Sequence, residues 1–320
     1  MTYAFQAEGL VKRFGATTAL DGVDLAAPAG SVLGVLGPNG AGKTTAVRIL
    51  ATLLRPDAGR ATVGGIDVAR HPDKVRRLIG LTGQFASVDE DLTGMQNLVL
   101  IGRLLDLRGA EAKSRAKRLL EDFDLTEAAK RPAKTYSGGM RRRLDLAASL
   151  MGRPGIVFLD EPTTGLDPAK REDLWNVVRR LIADGVTVLL TTQYLEEADA
   201  LADAIAVIDS GKVIAHGTPA DLKRVVGGQH ITVRPTDTAD LDRCEAILNL
   251  ATGRRPETPH RGVLSVPADS ERDFTAVVAE LDRAGIAVTE LALQLPDLDD
   301  VFFKLTGRTA ENEKQEALAA

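Results

Sequence analysis

The sequence predicts an α/β protein with a mixed sheet at its core, a helical insert, and a small α+β domain after it. Three observations predict this. Residues 31–36 (SVLGVL), 156–159 (IVFL) and 185–190 (GVTVLL) are short apolar runs, the pattern of strands covered on both faces of a sheet. Residues 43–54 and 168–181 carry apolar side chains at helical spacing, and residues 94–123 read as a mostly helical insert. Past Gly227-Gly228 the chain changes to a shorter alternation of strands and helices, which places a domain boundary near residue 228.

Taken in order, residues 4–10 and 60–63 read as strands, with Lys12-Arg13-Phe14-Gly15 as the turn after the first. The strand of residues 31–36 runs into Gly37-Pro38-Asn39-Gly40-Ala41-Gly42-Lys43-Thr44, which fits G-x-x-x-x-G-K-[ST] in full. A helix over 43–54 follows, with Val47, Leu50 and Leu54 on one face. Strand, glycine loop and helix form the context this motif requires. Glycines let backbone N–H groups turn inward around phosphates, the helix N-terminus adds partial positive charge, and the Lys43 ammonium can reach the β and γ oxygens. The Thr44 hydroxyl is placed for Mg²⁺, and Thr45 closes the loop.

Residues 79–84 form the next strand, ending at Gln84, whose amide oxygen can ligate Mg²⁺. Ser137 is a good N-cap, and Gly138 and Gly139 expose N–H groups at the start of a helix bearing Leu144, Ala147, Ala148 and Met151. The apolar run 156–159 ends in Asp160-Glu161-Pro162, at a strand end where an α/β sheet places its ligands. Asp160 is the natural partner of a nucleotide's Mg²⁺, and Glu161 can orient or deprotonate an attacking water. Pro168 opens a helix whose apolar face is Leu174, Trp175, Val178 and Leu181, which makes Trp175 a packing residue. The strand of residues 185–190 leads to Gln193.

The Gly37 loop, Gln84, Ser137-Gly138-Gly139, Leu159-Asp160-Glu161-Pro162 and Thr164-Gly165-Leu166-Asp167 follow one another in an order that resembles the ATP-binding subunits of ABC transporters, over residues 4–225. The resemblance implies a P-loop NTPase of the ABC cassette type that binds ATP and Mg²⁺ and hydrolyses ATP. It implies that Lys43, Glu161 and Gln193 act in catalysis and that Phe14 stacks on adenine. Thr44, Gln84 and Asp160 would hold the metal. Ser137, Gly138, Gly139 and Asp167 would face the ATP of a second subunit. Since the chain holds one phosphate loop and one Ser-Gly-Gly, the implied assembly is a homodimer of two cassettes head to tail.

Three positions depart from the common pattern of that family: Tyr136 for leucine, Met140 for glutamine, and Gln193 for histidine at the strand end. Glutamine can donate a hydrogen bond to the γ-phosphate but cannot become cationic. Together with residues 136–150 (YSGGMRRRLDLAASL) and 191–199 (TTQYLEEAD), these departures resemble the daunorubicin-resistance branch of drug exporters. That branch implies a subunit peripheral to the cytoplasmic face of the cell membrane, driving a separate integral membrane permease. The permease, not this chain, would contact the small hydrophobic substrate. Residues 85–88 and 95–97 are the candidate contacts with it, beside the apolar stretch 95–107. Two other readings are a soluble non-transport ABC ATPase and an ATP-sensing regulator with weak hydrolysis; Glu161 argues against the second and Gln193 leaves it open.

Composition sets the remaining bounds. A length of 320 residues suggests two domains. These are the cassette, 1–227 with its helical subdomain at about 85–155, and an accessory domain, 228–307, followed by a disordered polar tail, 308–320. Net charge is −5, from 45 acidic and 40 basic residues, so no broad basic field offers itself to nucleic acid. Arg141-Arg142-Arg143 reads as a solvated helix face. Cys244 reads as a core residue, and His71, His216, His230 and His260 make no metal-ligand spacing. No apolar run approaches the ~20 residues that cross a bilayer, and the N-terminus lacks the apolar core of a signal peptide. In the accessory domain, strands are expected over 231–234, 262–266 and 286–293 and helices over 239–250 and 274–284, a ferredoxin-like pattern whose close, residues 298–307, resembles the same drug-exporter branch.

Overall fold

The computed structural model describes residues 2–83, 88–226, 229–260, 262–268, 270–294 and 301. Two units divide the chain, Met1–Pro219 and Ala220–Ala320, with the division ahead of the Gly227-Gly228 pair. In the first unit the elements are β1 (Tyr3–Phe14), β2 (Thr17–Pro28), β3 (Val32–Leu36), α1 (Lys43–Leu50), β4 (Ala58–Val63), β5 (Ile66–Asp67), α2 (Pro72–Arg76), β6 (Ile79–Thr82), α3 (Gly94–Leu104) and α4 (Gly109–Asp122). They continue with α5 (Gly138–Ser149), β7 (Ile156–Asp160), α6 (Pro168–Ala183), β8 (Thr187–Thr192), α7 (Leu195–Leu201), β9 (Ala204–Asp209) and β10 (Lys212–Gly217).

The apolar runs become the middle of a six-stranded sheet ordered β10-β9-β3-β8-β7-β6, parallel except for β10 at its edge. Alternation along each strand sends side chains to opposite faces. Val32, Val157, Leu159, Val188 and Leu190 face a core shared with α3 to α6. Leu33, Val35, Phe158 and Leu189 face a second core, shared with α1 and the antiparallel sheet β2-β1-β4-β5. Phe5 of β1 meets Phe158 of β7 edge to face, with centroids 5.7 Å apart, and this contact seats one sheet on the other.

Several boundaries differ from the sequence reading, among them the ends of β1 and α1. Lys12, Arg13 and Phe14 belong to β1, so the turn begins only at Gly15. Helix α1 stops at Leu50 rather than Leu54, because Thr52 takes a left-handed φ of 63°. Its N–H donates to Ile49 O and that of Leu53 to Arg48 O, a Schellman closure that leaves no helical path onward.

In the second unit, after α8 (Pro219–Val226), come β11 (Gln229–Pro235), α9 (Leu241–Thr252), β12 (Glu257–His260), β13 (Val263–Ala268), α10 (Glu271–Arg283) and β14 (Val288–Gln294). All pairings are antiparallel and the order is β12-β13-β11-β14, the split βαββαβ arrangement. Cys244 is buried there beside Leu248, Val266 and Val277, and burial pushes its thiol pKa up. The sequence reading omitted β12, whose polar residues and Pro259 carry no strand pattern; the order makes it an edge strand, where proline is tolerated. Residues 302–320, which include the expected tail, lie outside the described residues, as does most of 298–307. Among the described residues, no helix is long and apolar enough to cross a membrane.

Candidate active site

Strands β3, β8 and β7 are adjacent and parallel, so the loops after them open on one edge of the sheet. The loop after β3 is shaped by close approach. A Cβ on Gly37 would stand 2.1 Å from Ile208 O, and Gly42, at φ 111°, would place one 2.5 Å from Ala19 O. Lys43 is buried at the start of α1, and its ammonium donates to Gly37 O (2.7 Å) and Pro38 O (3.0 Å) while pairing with Glu161 Oε1 at 3.1 Å.

The end of β7 is tied to its neighbours just as closely. Asp160 Oδ1 accepts from Thr44 Oγ1 (3.0 Å) and from Thr191 Oγ1 (2.7 Å). The chain then turns left-handed at Glu161, φ 50°, a conformation uncommon for a side chain of this kind. Thr191 holds that turn, since Glu161 N donates to its carbonyl (3.1 Å) and its hydroxyl (3.0 Å). Thr191 went unremarked in the sequence reading, although it stands at the strand end beside Asp160.

Asn39–Thr45, Arg48, Glu161, Thr164 and Gln193 line a cavity of about 580 Å³, within the ordinary range for small-molecule sites. The oxygens of Thr44 and Asp160, 3.0 Å apart, are hard donors suited to Mg²⁺. No cluster of three or more His, Cys, Asp or Glu that could hold a metal occurs among the described residues. Gln84 lies outside the described residues.

Other expected site residues stand outside this cavity. Phe14 ends β1 with its ring half exposed and the Lys12 ammonium 5.7 Å from its centroid. Ser137 caps α5, accepting from Met140 N at 3.3 Å, and Gly138 and Gly139 form the first turn. Asp167 caps α6, accepting from Lys170 N at 3.0 Å; its ion pair with the Lys170 side chain holds its carboxyl below the usual range. The stem of Lys170 lies against Gly139, so the starts of α5 and α6 adjoin.

The arginine run is not the solvated face the sequence suggests. All three residues are half-buried: Arg141 pairs with Glu90 (2.8 Å), Arg142 donates to Gly83 O (3.0 Å), and Arg143 lies 3.9 Å from Asp124. Arg141 and Arg142 tie α5 to the chain on either side of residues 84–87, and Arg143 ties it to the end of α4. Among the expected permease contacts, Val88 and Asn97 are buried, Asn97 being bonded to Asp89 at 2.8 and 2.9 Å, Met95 is half-buried, Gln96 is exposed, and residues 85–87 lie outside the described residues; α3 and its end also expose Leu100, Leu104 and Leu105.

The ABC transporter family profile matches residues 20–164. The chain is also 54% identical over 318 residues to the daunorubicin resistance ATP-binding protein DrrA2 of Streptomyces coeruleorubidus, spanning 98% of this chain and 99% of that protein. The chain belongs to the ABC transporter ATP-binding proteins. A second ABC relative, the daunorubicin/doxorubicin resistance ATP-binding protein DrrA of Streptomyces peucetius, is 51% identical over 322 residues, 99% of this chain and 97% of that one. Among solved structures, the dimeric post-hydrolysis state of the ATP-binding cassette MJ0796 bound to ADP and Pi superposes with a TM-score of 0.62 at 26% identity, covering 67% of this chain and 98% of that one. The chain is thus an ABC ATPase, and Lys43 and Glu161, which share the cavity, both fall within the matched span. Tyr136, one of the departures from the common pattern, is buried in this cassette and donates its hydroxyl to Ala128 O at 2.7 Å, which anchors the chain just before Ser137; burial pushes its pKa up.

Proposed function

We propose that two copies of this chain close head to tail over two ATP molecules and that the movement drives a separate membrane permease to export hydrophobic, drug-like compounds. The observation that carries the reading is the division of the site. Lys43, Glu161 and Gln193 share one cavity, whereas Ser137, Gly138, Gly139 and Asp167 stand outside it at two adjoining helix starts, where N–H groups are offered to an anion. A second copy would bring those helix starts over the first copy's phosphates. The dimeric state of the MJ0796 cassette supports the assembly, and the daunorubicin-resistance names of the relatives support the substrate class. The exposed leucines of α3 suit contact with the permease at the cytoplasmic face.

Within each site, the Phe14 ring offers its face to adenine and the loop N–H groups hold the phosphates. Thr44 and Asp160, with Gln84, would hold Mg²⁺, which neutralises charge on the transferring phosphoryl group when bound. Lys43 exchanges its carbonyl and carboxylate partners for phosphate oxygens. Glu161, so released, takes a proton from the attacking water, and the Gln193 amide donates to the γ-phosphate.

Mixing tests the composite site directly. Lys43→Ala and Ser137→Arg chains, each inactive alone, regain part of the parental ATPase rate when combined, because one mixed dimer keeps one intact site. No recovery, together with a rate per chain independent of protein concentration, would refute the dimer. ATP-driven extrusion of daunorubicin from membranes containing the chain and its permease tests the transport reading, and its absence in the presence of active ATPase would leave an enzyme without this cargo.

A further inference from the structure

Glu197 is a buried carboxylate that the hydrolytic reading leaves without a task. It sits in the first turn of α7, four positions after Gln193, and is 1% exposed. Both of its oxygens are engaged: Oε2 accepts from Thr163 Oγ1 (3.0 Å) and Oε1 from Trp175 Nε1 (3.2 Å). Thr163 is fully buried in the loop between Glu161 and Asp167, and Trp175 belongs to α6. A carboxylate so placed is unfavourable unless bonded, and its charge-assisted bonds fix direction, where an apolar residue would only fill space.

One turn before Trp175, on the same face of α6, Arg171 makes a second link between the same segments. Its guanidinium lies 4.2 Å from the centroid of the Tyr194 ring, and its Nε donates to Leu166 O at 3.3 Å. Two side chains of α6 therefore hold both the loop that follows Glu161 and the turn that follows Gln193. Gln193 itself has no hydrogen-bond partner among the described residues. Its place is set by the end of β8 before it and by the residues after it.

We propose that Glu197 is a positioning residue which, through Thr163 and Trp175, holds Gln193 in register with Glu161, so that the amide and the carboxylate address the same γ-phosphate and its attacking water. The inference rests on the reading of Glu161 and Gln193 as the hydrolytic pair. Loss of the link would leave Gln193 present but misplaced relative to Glu161. A displacement of about 1 Å in such a site can cost about 10²-fold in rate.

The experiment is steady-state ATP hydrolysis by the full-length protein, normalised to bound nucleotide, for Gln193→Ala, Glu197→Ala, their double variant, Glu197→Gln and Trp175→Phe. Glu197→Ala is expected to lower kcat by about 10²-fold with little change in KM for ATP. Glu197→Gln, which keeps one acceptor oxygen, and Trp175→Phe, which removes only the N–H donor, should each lose less. In the Gln193→Ala background, Glu197→Ala should add almost nothing, since the group it positions is gone. An equal loss in both backgrounds would mean a general role in folding and overturn the proposal, as would a parental kcat for Glu197→Ala. Should Gln193→Ala alone keep the parental kcat, the hydrolytic reading of Gln193 fails first and the proposal falls with it. If Glu197→Ala does not fold, Glu197→Gln and Trp175→Phe carry the same two-background comparison.

Discussion

Replacing Glu161 by glutamine separates two effects that the structure places on one side chain. The Lys43 ammonium has three protons and three acceptors, Gly37 O, Pro38 O and Glu161 Oε1, at 2.7, 3.0 and 3.1 Å. The first effect concerns binding. Incoming ATP must win Lys43 from a carboxylate and also approach that carboxylate, and two like unit charges about 4 Å apart repel by about 4 kcal/mol at an effective dielectric constant near 20. Glutamine removes the repulsion while its amide oxygen still accepts from Lys43. Allowing for solvent and for the lost ion pair, a third of that energy survives as a gain of about tenfold in ATP affinity. The second effect is chemical: without a base, kcat falls by about 10²- to 10⁴-fold, or about 3–5 kcal/mol of barrier. The unliganded variant, with a neutral bond in place of a charge-assisted one, loses about 1 kcal/mol of stability. Nucleotide binding by calorimetry, phosphate release at saturating ATP, and melting with and without ATP measure the three quantities. The expected combination is tighter binding, slow turnover, and a larger thermal shift on adding ATP than in the parent. Parental turnover with parental affinity would refute the assignment of Glu161 and the exchange of Lys43 together.

Three further predictions follow from the same geometry. Gln193→His should introduce into kcat a pH dependence centred near the histidine pKa of about 6.5, absent in the parent, because only histidine can become cationic at that position; an unchanged rate and profile would show that the position does not limit turnover. Tyr136→Phe removes the 2.7 Å bond to Ala128 O and should cost about 1 kcal/mol or slightly more in urea unfolding, since a buried carbonyl loses its donor. Burial raises the pKa of Glu197 above its ordinary 4.5, against the pull of Thr192, Thr163, Trp175 and Arg171. A raised carboxyl favours the folded state while protonated, so the parent's stability relative to Glu197→Gln should be greatest below pH 4.5 and decline as pH rises through the folded value; a difference that grows with pH would contradict the shift.

The parallel sheet and its ligand edge were legible because each element carried a local signal. Residues 31–36 and 156–159 are apolar without interruption, and G-x-x-x-x-G-K-T marks its own loop. What escaped notice depends on partners distant in sequence. Thr191 looks like any strand threonine until β8 lies beside β7, and Glu197 reads as one acid among several in Leu-Glu-Glu-Ala-Asp until α6 covers it. The arginine run misled for the same reason, since its acceptors at Gly83 and Glu90 belong to another segment. The end of α1 turned on backbone bonds at Thr52 that no side-chain pattern announces.

The site's polar groups satisfy one another. Lys43 occupies Glu161, and Thr44 and Thr191 occupy Asp160. The ion pair with Lys43 fixes the Glu161 carboxylate against the loop and keeps it from taking a proton from water. Phosphate oxygens are the natural replacement for both the loop carbonyls and the carboxylate around Lys43, so on the proposed reading the event that brings the substrate also frees the base that takes a proton from the attacking water. On the proposed reading, hydrolysis is limited to ligands that reach Lys43 with enough negative charge to displace Glu161. On this argument Glu161→Gln and Lys43→Ala differ in kind: the first should trap ATP, whereas the second should release Glu161 but leave nothing for the γ-phosphate to bind, so its loss appears in affinity as well as in rate.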